Sequence, residues 1–196
     1  MKMEIDWSTI KEFVGEEEQL KAIEKDWDNI QFMDNPSEKV QLAAVERSSH
    51  AIELIHNPYE SVQLVAAETD GSVIQYIHNP SDRVKLAALK HNGNAIQWIH
   101  NPSKEMKLAA VNNNGGAIRY IHNPSEEVQL AAVKNNSNAI KFIHNPSEEV
   151  MNAAILKGSY CISRFKKFWR KNTKKKMTVE EIEKELGYKV EIISDK

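Results

Sequence analysis

Five histidines recur at an interval of 22 residues: His56, His78, His100, His122 and His144, each followed by asparagine. An imidazole can ligate a metal, carry a proton or bond a carbonyl. A metal centre needs three or four ligands converging on one point, whereas equivalent side chains on successive packed helices lie about 8–10 Å apart. The spacing therefore favours a structural ladder in which each ring bonds a carbonyl at the end of a short helix. His50 and His91 fall outside the series and read as incidental.

The same period carries a row of large apolar residues: Phe32, Leu54, Tyr76, Trp98, Tyr120 and Phe142. Trp and Tyr are strong interface anchors, so the row reads as a groove for an elongated protein partner. The competing reading is packing between neighbouring helices, with the tyrosine hydroxyls reaching water. Immediately before the row run Gln31, Glu53, Gln75, Gln97, Arg119 and Lys141, neutral or acidic at first and basic at the end. Variable positions on a fixed repeat are where such proteins place specificity.

A third feature is compositional. Net charge is only −2, yet residues 157–176 hold nine bases and no acid, while residues 1–35 hold ten acids and four bases. In the basic stretch Arg164, Lys166, Lys167, Arg170, Lys171, Lys174, Lys175 and Lys176 alternate with Phe165, Phe168 and Trp169. Three readings stay open. The aromatic residues close the end of a helical stack and the bases face water; or the segment tracks phosphates and stacks on nucleic-acid bases; or it lies on an anionic membrane or an acidic protein.

Catalytic signatures are missing. The chain has no phosphate loop, no Gly-x-Ser-x-Gly, no His-Glu-x-x-His and no cysteine–histidine pattern. The lone Cys161 excludes an internal disulfide and a cysteine zinc cluster. No cofactor is expected. No apolar run reaches membrane-spanning length and the first residues lack a signal core, so a cytoplasmic setting is expected.

The elements that position these residues follow from the prolines. All six, Pro36, Pro58, Pro80, Pro102, Pro124 and Pro146, are 22 residues apart and preceded by asparagine. A fixed period of this length marks a repeat architecture. Each Asn suits an N-cap and each Pro the first helical position. An acid two residues further on (Glu38, Glu60, Asp82, Glu126, Glu148; Lys104 is the exception) favours the helix dipole. The first helix, of about 12 residues, runs through Val128, Leu130, Ala131, Ala132 and Val133 and is apolar nearly all round, which predicts burial on both flanks. An Asn/Ser/Gly turn then tolerates a left-handed residue. A shorter helix of about seven residues follows, with two Ile three apart on one face.

Residues 14–35 fit one more, degenerate unit with Val14 in place of proline. The tail after residue 176 shows a capping signal at Thr178 and Glu181, a stop at Gly187, and alternating Tyr188, Val190 and Ile192, as for a helix and a short strand. The expected fold is all-α: an α-solenoid of about seven 22-residue hairpins with a small α–β C-terminal cap. The expected organisation is an N-terminal cap over 1–35, repeats over 36–157, a basic aromatic segment over 158–176 and a tail over 177–196.

The core L-A-A-V-x-x-N-[GSN]-x-A-I-x-[FWY]-I, at Leu130–Ile143 and, with Leu89 for the Val, at Leu86–Ile99, resembles a bacterial and phage family of short helical repeats of unknown function. The likeness spans about residues 17–160. That family usually has an aspartate before the first helix, where this chain has Asn-Pro-Ser-Glu. The resemblance implies a stack akin to HEAT and armadillo solenoids and an origin in phage or mobile elements, and it transfers no catalytic residue. Together these features predict a non-catalytic, protein-binding adaptor. A nucleic-acid binder using the basic segment is the alternative, and an enzyme with a site on the concave face is a third.

Overall fold

Each proline precedes a helix, but the cap lies two residues later than expected. The computed structural model describes residues 15–157. Within them, seven α-helices alternate with six 3-10 helices. We label the α-helices α1 (Glu16–Lys25), α2 (Glu38–Arg47), α3 (Glu60–Thr69), α4 (Asp82–His91), α5 (Lys104–Asn113), α6 (Glu126–Asn135) and α7 (Glu148–Leu156). The 3-10 helices are η1 (Trp27–Phe32), η2 (Ser49–Leu54), η3 (Gly71–Tyr76), η4 (Gly93–Trp98), η5 (Gly115–Tyr120) and η6 (Ser137–Phe142). Among the described residues there is no strand. The expected basic segment and helix–strand tail lie outside the described residues.

The N-cap is the residue after the proline, serine in five units and Tyr59 at α3, and never the asparagine. Ser81, Ser103 and Ser147 accept hydrogen bonds from the amides of Val84, Met106 and Val150 at 3.2–3.3 Å. Proline therefore stands one residue before the cap. Its carbonyl accepts from a glutamine side chain five residues on, at Pro36–Gln41, Pro58–Gln63 and Pro124–Gln129. The asparagines instead make the corner. Asn35, Asn79, Asn101, Asn123 and Asn145 have φ between 47° and 52°, a left-handed conformation that asparagine tolerates better than most residues.

The left-handed residue expected at the turn after each α-helix is thus elsewhere. That turn is extended, with φ of −138° to −155° at Asp26, Ser48, Asp70, Asn92, Asn114 and Asn136. The side chain there caps the 3-10 helix. Asp70, Asn92, Asn114 and Asn136 accept from the amide two residues later at 2.9–3.0 Å.

The α-helices are shorter than expected, ten residues or nine, and the second helices are six-residue 3-10 turns. With three residues per turn, positions i and i+3 eclipse. Ile96 and Ile99, and the matching Ile pairs of the units from Ile52 to Ile143, are buried accordingly, whereas Met33 in the first unit is half-buried. Each α-helix packs against the α-helix of the next unit, and each 3-10 helix against the next 3-10 helix. One continuous core runs from Ile23 to Ala154.

The α-helices are not buried on both flanks. Val128, Ala132 and Val133 are sealed, whereas Leu130 and Ala131 are half-buried and face away from the core centre. Helical projection explains this: Val128, Ala132 and Val133 fall at 0°, 40° and 140°, Leu130 and Ala131 at 200° and 300°.

Two sets of bonds tie neighbouring units. At the starts of α1–α4, carboxylates reach the next cap region: Ser37 and Ser81 hydroxyls donate to Glu16 and Glu60 at 2.6 Å, and Ser61 donates to Glu38. At the ends of α4–α6 a side chain reaches back to the preceding turn. Amides of Gly71, Gly93 and Gly115 donate to His91 Nδ1, Asn113 Oδ1 and Asn135 Oδ1 at 3.1, 2.7 and 2.8 Å. His91, expected to be incidental, is a member of this ladder. Glycine is required in these turns because the next α-helix sits against them. A Cβ on Gly93 would lie 2.2 Å from the Ala110 carbonyl oxygen.

Candidate protein-binding surface

The 3-10 helices set the aromatic row. Each places its large residue last, just before a buried Ile in all units but the first, where half-buried Met33 follows Phe32. Phe32, Leu54, Tyr120 and Phe142 are half-buried, and all of these except Phe32 pack against the core. Tyr76 and Trp98, on consecutive units in the middle, are 38% and 48% exposed. The row is therefore partly packing and partly bare surface, and the bare part is central.

The flanking residues differ along the row. Gln31, Glu53, Gln75, Gln97, Arg119 and Lys141 are all exposed. Gln31 donates to the Asp28 carbonyl at 3.0 Å. Arg119 donates through Nε to the Gly116 carbonyl at 3.1 Å. Its guanidinium carbon lies 5.1 Å from the Tyr120 ring centre and 5.3 Å from that of Phe142, bridging two units. Lys141 Nζ lies 4.9 Å from the Phe142 ring centre. Exposed contacts of this kind contribute about 0.5–1 kcal/mol. Tyr76 and Trp98 have no such cationic cover, and His50 meets Tyr76 in a tilted contact, with centroids 6.2 Å apart and planes at 59°.

The five periodic histidines do not cap carbonyls. They are exposed, and no hydrogen bond joins them to other described residues. The following Ile amide already takes a 3-10 carbonyl, as in Ile99 N–H to Ile96 O at 3.1 Å. Among the described residues no group of three or more His, Cys, Asp or Glu is placed to hold a metal.

Sequence reasoning missed a second surface. The half-buried Leu and Ala on the far side of the α-helices line a shallow groove of about 720 Å³ between α5 and α6. Leu108, Leu130 and Ala131 form its floor, with Glu126 and Glu127 at one end and Lys134 and Asn135 at the other. The helical projection carried the signal, since Leu130 lies opposite Val128.

Four carboxylates have shifted titrations: hydrogen bonds from Ser37 and Lys39 hold Glu16, and one from Lys21 holds Glu17, below the ordinary value, and the other two are Asp70 and Asp28. Burial pushes Asp70 up, but the Ser72 hydroxyl and amide, both bonded to it, with His50 and His91 nearby, outweigh that and hold it below its ordinary value. Asp28 is held above its ordinary value by burial and by the neighbouring charge of Asp26.

Arg164, Lys166, Lys167, Trp169, Arg170, Lys171, Lys174, Lys175, Lys176 and Cys161 lie outside the described residues. Among the described residues no helix is long and apolar enough to cross a membrane. No family model, curated protein or solved structure matches the chain.

Proposed function

We propose that the protein is a non-catalytic scaffold: its helical pairs stack as an α-solenoid and hold a partner protein along the row of 3-10 helices. The observation that carries this reading is the pair Tyr76 and Trp98, large aromatic side chains left open on adjacent units. Burying them against a partner removes apolar area from water at about 25 cal/mol per Å², and both residue types dominate measured interface energies. The rigid placement of Tyr76 and Trp98, each with a buried Ile two residues before and one after, lowers the entropy lost on binding.

The test is a peptide-display selection against the immobilised protein, repeated on the double variant Y76S/W98S. Selection of peptides that bind the parent and not the variant supports the reading. If nothing is enriched, or if the variant captures the same peptides, the row is not a binding surface.

A second reading rests on the nine bases without an acid in residues 157–176. There the partner is nucleic acid, held by the basic segment with the repeats as support. Salt-dependent binding of single-stranded RNA or DNA that disappears on truncation after residue 157 would favour it.

A further inference from the structure

We infer that the partner of the aromatic row is an extended, proline-rich segment in the polyproline II conformation, with acidic residues at the end that meets Arg119 and Lys141. This rests on the protein-binding reading above and names its partner class. The first argument is register. A ligand that repeats one contact on every unit must advance by the spacing of the units, about 8–10 Å for packed helices. Polyproline II has three residues per turn and rises about 3.1 Å per residue, so one turn advances about 9 Å. A β-strand returns to the same face every two residues, about 6.7 Å. Two α-helical turns advance about 10.8 Å and drift out of step within a few units. Only the first matches one contact to one unit over the length of the row.

The second argument is hydrogen bonding. Polyproline II leaves its carbonyls unbonded. Trp98 supplies an indole N–H, Tyr76 a hydroxyl, and the exposed Gln75 and Gln97 supply amides that bond no other described residue. Aromatic rings beside free donors are the features by which proline-rich segments are recognised.

Charge gives the third argument, and it sets the direction. The flanks of Tyr76 and Trp98 are uncharged, whereas those of Tyr120 and Phe142 are Arg119 and Lys141. A nucleic-acid strand would need a cation for each of several phosphates, and Gln75 and Gln97 cannot provide it. A neutral segment fits the centre, and carboxylates fit the end where the two cations lie over the rings.

The test is fluorescence anisotropy on the full chain with labelled peptides of four Pro-Pro-Leu triplets, about 37 Å long, carrying an Asp-Glu pair at one end or the other. Saturable micromolar binding is expected, with one polarity at least threefold tighter. The pair Y76S/W98S should weaken it at least tenfold at a temperature where circular dichroism shows both proteins folded. R119Q/K141Q should remove the polarity preference and leave binding. Absence of binding, or binding indifferent to Y76S/W98S, overturns the inference. If display selection then yields proline-free peptides that depend on Tyr76 and Trp98, the partner class is wrong and the protein-binding reading stands. If only RNA or an oligosaccharide binds the row, both are wrong.

Discussion

Asn113 reaches back one whole unit to Gly93. Its side-chain oxygen accepts the Gly93 amide at 2.7 Å, and its nitrogen donates to the Lys90 carbonyl at 2.7 Å. Asn135 repeats the arrangement on Gly115 and the Asn112 carbonyl. One carboxamide thus satisfies a donor in a turn and an acceptor at a helix end, in a different unit from its own.

Asn113→Ala removes both bonds. It should cost about 1–2 kcal/mol, read as a lower urea midpoint with unchanged m-value. Asn113→Asp keeps the acceptor and loses the donor, so it should fall between Asn113→Ala and the parent. Equal stability in all three would mean the ladder is not a source of cohesion.

Two glycines separate close packing from local freedom. Gly93→Ala places a methyl 2.2 Å from a backbone oxygen of the next helix, and one side or the other must move. A loss of about 3 kcal/mol is expected. Gly116→Ala meets only the Asn114 side-chain oxygen, at 3.1 Å, and beyond it the end of Arg119. Its thermal midpoint should shift by no more than the equivalent of about 1 kcal/mol.

Asp70 and Asp28 contribute to the acid-side behaviour with opposite signs. Asp70 has a folded-state pKa below its unfolded value. Its contribution is present above the unfolded pKa and is lost as pH falls through the folded one. Asp70→Asn keeps an acceptor for the Ser72 amide, as Asn92 does for Asn94. The stability difference between parent and variant should therefore shrink as pH drops below about 4. Asp28 has a raised pKa, so its charge opposes folding at neutral pH and Asp28→Asn should stabilise there. Chemical denaturation across pH 3–7, a range chosen to span the ordinary carboxylate values of about 4, checks both.

The corner asparagines test the left-handed backbone. At Asn101, φ is 50°. Asn101→Gly should be neutral or slightly stabilising, and Asn101→Ala should lose about 1 kcal/mol. If the two variants melt together, the corner relaxes and the conformation is not a constraint.

The unit length, the helix order and the buried Val, Ala and Ile positions were legible because they repeat, and because periodicity reports which residues share a face. Ser81 and Asn101 were harder. Both residue types suit a cap, and only the backbone decides that Asn takes the corner while Ser takes the helix start. The fate of His91 was hidden for a related reason. Its partner, the Gly71 amide, lies 20 residues away, and its counterparts at that position are Asn113 and Asn135. An imidazole acceptor and a carboxamide acceptor are equivalent in space and unlike in sequence. The row at Tyr76 and Trp98 was legible as a row, but its degree of exposure depends on how a six-residue 3-10 helix turns.

The carboxylate–serine bonds and the backward-reaching side chains fasten opposite edges of the array. The α1–α2 and α2–α3 joints are stitched at the starts of the α-helices and the α4–α5 joint at the ends, whereas α3–α4 is stitched at both by Glu60–Ser81 and Gly71–His91, and α5–α6 at both by Lys104–Glu127 and Gly115–Asn135. The series runs out at Lys157, whose ammonium donates to the Lys134 carbonyl and has no lone pair to offer the turn. Flexing therefore opens the first two joints at one margin and the α4–α5 joint at the other, while the units on either side of each doubly pinned joint turn together as blocks.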